Sequence, residues 1–288
     1  MPNKLYLECY SGISGDMTVA ALLDLGADQQ VLLEGLESLN LPGYQLKIGR
    51  VKKNGIDACD FDVILDEPEH HHDHDHEHHH DHDHEHHHDH EHEHHHDHEH
   101  DHDHDHEHHH DHDHHDHVHR NIGDIFAIID QSKISDRAKQ TAKDIFRIIA
   151  AAESKAHGIA EDQVHFHEVG AVDSIVDIVS AAICLDNLDI TEAVVSDLYE
   201  GCGYVHCQHG LMPVPVPAVV NIAADNALRL RLTQTRGEMI TPTGAAIAAY
   251  LSKGGKLPES FVIEKIGLGA GKKDFATANI LRAFLIRD

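Results

Sequence analysis

The chain of 288 residues contains no tryptophan, only seven phenylalanines and six tyrosines, and 22 lysines and arginines against 51 aspartates and glutamates. The shortage of basic residues excludes a nucleic-acid partner, because no face able to neutralise several phosphates can be assembled from it. The five cysteines, Cys9, Cys59, Cys184, Cys202 and Cys207, are odd in number and scattered. They suit free thiols in a reducing compartment better than a disulfide framework. No apolar run reaches the roughly 18 residues of a membrane span, and the first ten residues lack the basic start and apolar stretch of a signal peptide. A cytoplasmic protein with no membrane partner is expected.

Histidine is what the chain has in excess. The fifty residues from His70 to His119 hold 31 His, 18 Asp or Glu and a single valine, Val118. So little apolar surface cannot repay the entropy of ordering the chain, and a disordered, solvated loop is predicted. Imidazole binds Ni²⁺, Cu²⁺, Zn²⁺ and Co²⁺, and interleaved carboxylates balance their charge, so the composition reads as metal storage or capture. A purification tag would not be internal and broken into runs of three His or fewer. A merely solubilising loop needs acids but not 31 imidazoles. Without the tract, hydrophobic content rises from 40% to about 48% and net charge falls from −29 to −11, ordinary values for a globular body.

Periodicity and turn signals give that body a mixed α/β (α+β) reading in three parts. Residues 1–69 form an N-terminal βααββ unit, with strands near Leu5–Cys9, Tyr44–Val51 and Asp57–Leu65 and a hairpin turn at Asn54-Gly55. The tract occupies 70–119. Residues 120–288 form a larger helical and α/β part that packs with 1–69 as one body. Its expected helices include Ile122–Ile129, Ala138–Ala156 and Val172–Leu185, and two strands, Val262–Leu268 and Asn279–Ile286, close it.

Several short motifs carry possible chemistry. In His165-Phe166-His167-Glu168 an extended backbone puts both imidazoles on one face, with a carboxylate beside them, a ligand set for one metal ion. On the helix that follows, Asp173, Ser174, Asp177 and Ser180 fall on one polar stripe of an otherwise apolar segment. The same residues would equally serve as a water-facing stripe and hydrogen-bonded surface histidines. Ser11-Gly12-Ile13-Ser14-Gly15-Asp16 lies where a strand becomes a helix, and exposed N–H groups there attract a phosphate or carboxylate. Ser11, Ser14, Gly15 and Asp16 are candidate anion-binding residues, and Thr241-Pro242-Thr243-Gly244 repeats the pattern with Thr241, Thr243 and Gly244. Taken by themselves, both runs are better explained by plain helix capping. Gly267-Leu268-Gly269-Ala270-Gly271-Lys272-Lys273 suits a further anion but lacks the spacing and the Ser or Thr of a Walker A loop. Cys202, His206, Cys207 and His209 are candidate donors for a soft or borderline metal, but their spacing matches no common zinc knuckle and an ordinary strand and turn is the default reading.

Taken together, residues 7–17, 165–173, 213–218, 241–245 and 267–271 resemble the LarC family of nickel-insertion proteins over nearly the whole chain outside the tract. The resemblance implies a lyase-class nickel chelatase. It would insert nickel into pyridinium-3,5-bisthiocarboxylic acid mononucleotide, forming two Ni–S bonds and one Ni–C bond, and so complete the nickel-pincer cofactor delivered to lactate racemase apoprotein. It further implies Ni²⁺ held at His165, His167 and Glu168, the substrate phosphate at Ser14 to Asp16, and Asp173 accepting the ring proton or supporting the ligands. CTP, with a divalent cation, is expected to be bound by a C-terminal continuation or companion polypeptide, without which this portion would be inactive. A homo-oligomer is expected. Two rivals remain: a nickel or zinc storage protein or metallochaperone, and a metal-dependent hydrolase using His165, His167, Asp173 and Asp177.

Overall fold

A computed structural model describes residues 3–66, 120–161, 164, 172–207 and 209–287. Met1–Asp66 and Val118–Asp288 form one compact unit, and Glu67–His117 form a second that lies outside the described residues, as does the His-rich tract. In chain order the elements are β1 (Asn3–Glu8), α1 (Gly15–Asp24), α2 (Gln29–Glu37), β2 (Tyr44–Lys53), β3 (Ile56–Leu65), α3 (Ile122–Gln131), α4 (Asp136–His157), α5 (Val172–Asn187), β4 (Ile190–Val195), β5 (Leu198–Cys202), β6 (Tyr204–Cys207), β7 (Gly210–Pro213), α6 (Pro217–Asp225), β8 (Leu230–Arg236), α7 (Pro242–Leu251), β9 (Val262–Ala270) and β10 (Ile280–Arg287). The mixed α/β class and the leading βααββ unit are as expected. Three short strands, β5, β7 and β8, were not. No described helix is long and apolar enough to cross a membrane.

Six strands form one mixed sheet in the order β2-β3-β9-β10-β1-β4. β1 is an interior strand beside the edge strand β4, antiparallel to β10 and parallel to β4, and its Leu5 and Leu7 are fully buried. α1 lies on β9, β3 and β10 and is covered in turn by α5, so it is apolar nearly all round. α5 is likewise buried from Ile175 to Leu185. α4, packed against α5, α6 and α7, shows the amphipathic pattern of an outer helix: Ala138, Ala142, Ile145, Phe146 and Ile149 face inward. It is closed by a Ser135 N-cap and by Gly158 in the left-handed conformation at φ +66.

The glycine run at 267–271 is corrected by the structure. Gly267 and Gly269 belong to β9 and do not form an anion-binding loop. A Cβ at either would strike the backbone of α1, so these residues let the helix seat closely on the sheet. Only Lys272, beyond the end of the strand, turns towards the cavity described next.

Candidate functional site

The strand-to-helix turn after β1 and the turn before α7 are stitched together. The Ile13 backbone N–H donates to the Met239 carbonyl at 3.0 Å and the Thr241 N–H donates to the Ile13 carbonyl at 3.1 Å. Ser14 and Thr241, the N-cap residues of α1 and α7, therefore stand side by side. The buried Glu200 on β5 fixes this arrangement by accepting from the backbone N–H groups of Gly201 (2.7 Å), Met239 (2.8 Å) and Ile240 (3.3 Å). Burial pushes its pKa up, and the three donors pull against that shift.

The first turn of α5 completes the enclosure. A Cβ on Gly15 would collide with the carboxylate of Asp177, so the glycine permits α1 to approach α5 at that acid. The result is a cavity of about 350 Å³ lined by Asp16, Asp62, Asp173, Asp177 and Glu238, with Lys272 as the single cationic side chain among the described residues. The starts of α1, α5 and α7 all border it: Ser14, Gly15, Asp173, Ser174, Thr241 and Thr243 line its wall. Three positive dipole ends thus converge on one space, a setting that favours an anion and tempers the repulsion among the acids.

Asp177 is the most perturbed of these groups. Burial, and then the charges of Asp16 and Asp173, push its pKa well above the usual carboxylate range. One edge of its carboxylate meets the cavity, while its Oδ1 is buried and has no hydrogen-bond partner among the described residues. Asp16 is also raised, by burial first, although the Ser14 hydroxyl donates to it and the Met17 backbone supports its charged form. Lys272 forms ion pairs with Asp60 at 2.7 Å and Asp62 at 3.2 Å. Its burial acts to lower its pKa, and these two carboxylates outweigh that and raise it. A set of acids too crowded to be charged together either keeps protons or gathers a cation. Among the described residues, no three His, Cys, Asp or Glu side chains are already drawn into a closed coordination sphere.

Of the residues singled out in the sequence, Ser14, Gly15, Asp16, Asp173, Thr241 and Thr243 all meet at this cavity. The polar stripe of α5 faces it through Asp173, Ser174 and Asp177, while Ser180 is fully buried one turn further on. Gly244 sits behind the wall, where a Cβ would strike the Ile13 carbonyl, and its N–H donates to the Thr241 hydroxyl at 3.1 Å. Ser11 lines a separate recess with Tyr10, Ile266 and Arg282. His165, His167 and Glu168 lie outside the described residues. Asp62, Glu238 and the structural Glu200 had no signal in the sequence: each is one acid within an unremarkable strand or turn.

The nickel insertion protein family matches residues 5–288. Among the relatives, the pyridinium-3,5-bisthiocarboxylic acid mononucleotide nickel insertion protein of Alkaliphilus metalliredigens is 59% identical over 100% of this chain and 61% of its own length. Proteins of the same description from Clostridium acetobutylicum and Acetivibrio thermocellus are 46% and 38% identical over 98% of this chain, and 63% and 60% of their own lengths. The chain belongs to the nickel insertion protein family. It spans roughly three fifths of the length of these curated relatives. No solved structure matches it.

Proposed function

We propose that this chain inserts nickel into pyridinium-3,5-bisthiocarboxylic acid mononucleotide, as a nickel chelatase of the lyase class, and that the carboxylate cavity is where the two substrates meet. The observation that carries this reading is Asp177: a desolvated carboxylate with one oxygen that no described residue partners, close to the charges of Asp16 and Asp173 and beneath three helix starts. Acids in that state suit a divalent cation, and the helix starts with Lys272 suit the phosphate of a mononucleotide.

In this reading Asp16 and Asp177 receive Ni²⁺, and protons held on these raised carboxyl groups are released as the ion binds. His165, His167 and Glu168, in the segment leading into α5, complete the ligand set. Carboxylate oxygen is a hard donor for nickel, and the two thiocarboxylate sulfurs of the precursor are soft, so transfer from protein to substrate runs downhill. Formation of the Ni–C bond replaces a ring hydrogen, which leaves as a proton and is taken by Asp173. The cofactor so formed serves lactate racemase. CTP with a divalent cation drives the step through a C-terminal continuation or companion polypeptide, and the working assembly is a homo-oligomer.

The test is to incubate the chain with Ni²⁺, the precursor and CTP, with and without such a companion, and to measure the nickel-containing product. Product is expected with the companion present, and full production without any other protein would remove the companion from the scheme. Asp177→Asn, which keeps the shape and loses the charge, should lower the rate about 10²-fold or more. Unchanged product formation by that variant would overturn the assignment of the cavity. The composition of the His-rich tract supports a second reading, nickel or zinc storage, in which removal of 70–119 rather than of Asp177 would abolish function.

A further inference from the structure

A second cavity, of about 440 Å³, lies on the far side of Glu238 and Pro242, both of which also line the carboxylate cavity. Its wall is made by the last turns of α4 and by the β6–β7 hairpin. It differs from its neighbour in chemistry, since it presents sulfur and imidazole: Cys207, Met212, His157, His206 and His209, with Glu153 alongside. The hairpin register explains the gathering. Val205 pairs with Met212 and Cys207 with Gly210. Because side chains alternate across a strand, Val205 and Cys207 share one face of β6, and Val205 and Met212 pack towards the core. That face is turned to the end of α4, where His157 stands 3.4 Å from Glu153 and its ring centroid lies 4.9 Å from that of His209.

We propose that this cavity is a thiolate and imidazole site for a borderline divalent transition metal of the Ni²⁺ class, with Cys207, His157 and His209 as its ligands. Thiolate and imidazole together select such ions over Mg²⁺ and Ca²⁺. The chain brings one thiol and three imidazoles to one recess, and of these Cys207, His157 and His209 are the proposed ligands because His206 alternates to the opposite face of β6 from Cys207. The cation draws them together. The four-residue strands of an exposed hairpin make that adjustment cheap, because an isolated two-stranded ribbon holds its shape only weakly. On binding, the Cys207 thiol releases its proton to solvent and the ion sheds water in exchange for protein ligands. The shared border at Glu238 makes the site a waiting position for the cavity next door, and only that role rests on the nickel-insertion reading.

Co²⁺ titrated into the full-length chain to saturation tests the site, because the tract from His70 to His119 contains no cysteine and cannot give a sulfur-to-cobalt charge-transfer band. The band is expected in the native chain, to be bleached by competing Ni²⁺, to persist in Cys202→Ser and to be lost in Cys207→Ser with an unchanged far-ultraviolet dichroism spectrum. The double variant His157→Ala, His209→Ala should require more Co²⁺ to reach the same band. No band at saturation, a band that survives Cys207→Ser, a band that Ni²⁺ leaves in place, or a double variant that saturates as the native chain does would each overturn the proposal. A Cys207-dependent band in a chain that makes no nickel product would support the site and count only against the insertion reading.

Discussion

Asp177 combines opposing demands on one side chain. Its burial and the neighbouring charges of Asp16 and Asp173 favour the protonated form, so apparent Ni²⁺ affinity at the cavity should rise with pH through the raised titration of this group. Asp177→Asn should flatten that pH profile, which calorimetric titration at several pH values would reveal. The same variant should make the metal-free fold more stable at pH 8, by about 1 kcal/mol or more, because it removes a charge from a buried, unpartnered position. The sign follows from linkage: a carboxyl whose folded pKa is raised destabilises the fold above that pKa, and the penalty fades as pH falls towards its unfolded value near about 3.9. The gain should therefore vanish near pH 4, and thermal melts of both chains across that range check it. At this scale the sequence was readable where several residues shared one period. Asp173 and Asp177 stood out because an apolar helix displayed them on one stripe, whereas Asp62 and Glu238 reach the cavity only through tertiary folding, which no local pattern records.

Helix starts and the turns behind them do the work of assembly. Thr241 caps α7 by accepting from the Gly244 N–H, and Thr241→Ala should cost about 1 kcal/mol in urea unfolding while loosening one wall of the cavity. Most long elements were legible because their apolar periods are strong: α4 shows its stripe over 22 residues, and Asn54-Gly55 marks the β2–β3 hairpin. The strands that escaped notice are short and locally contradictory. β5 carries the buried Glu200, β7 ends in Pro213, and β8 mixes two leucines with arginine, threonine and glutamine and buries none of them fully. β5 and β8 are held by each other across some thirty residues of chain, and β7 by the hairpin it makes with β6, rather than by their own propensity. The run at 267–271 misled for the opposite reason, since glycine signals both a phosphate loop and a close helix-to-sheet contact, and only the neighbouring α1 decides between them.

For the whole molecule, Met1–Asp66 and Val118–Asp288 gather into one compact unit that does not include Glu67–His117. Replacing 70–119 by a short Gly/Ser linker should leave the melting temperature of the remaining body within a few degrees of the native chain, because none of its described core residues comes from the tract. Nickel insertion by the linker variant should be impaired at scarce nickel and restored when nickel is plentiful. A variant that stays inactive at saturating nickel, although folded, would favour storage as the function. The cavity itself draws on residues 14–16, 62–63, 173, 174, 177, 238, 241–243 and 272, so its walls come from segments far apart along the folded unit. On the ribosome, then, a growing polypeptide owns no complete pocket until Lys272 has emerged. Its acids meanwhile stay dispersed in water, and cation capture there is postponed until translation has passed that point.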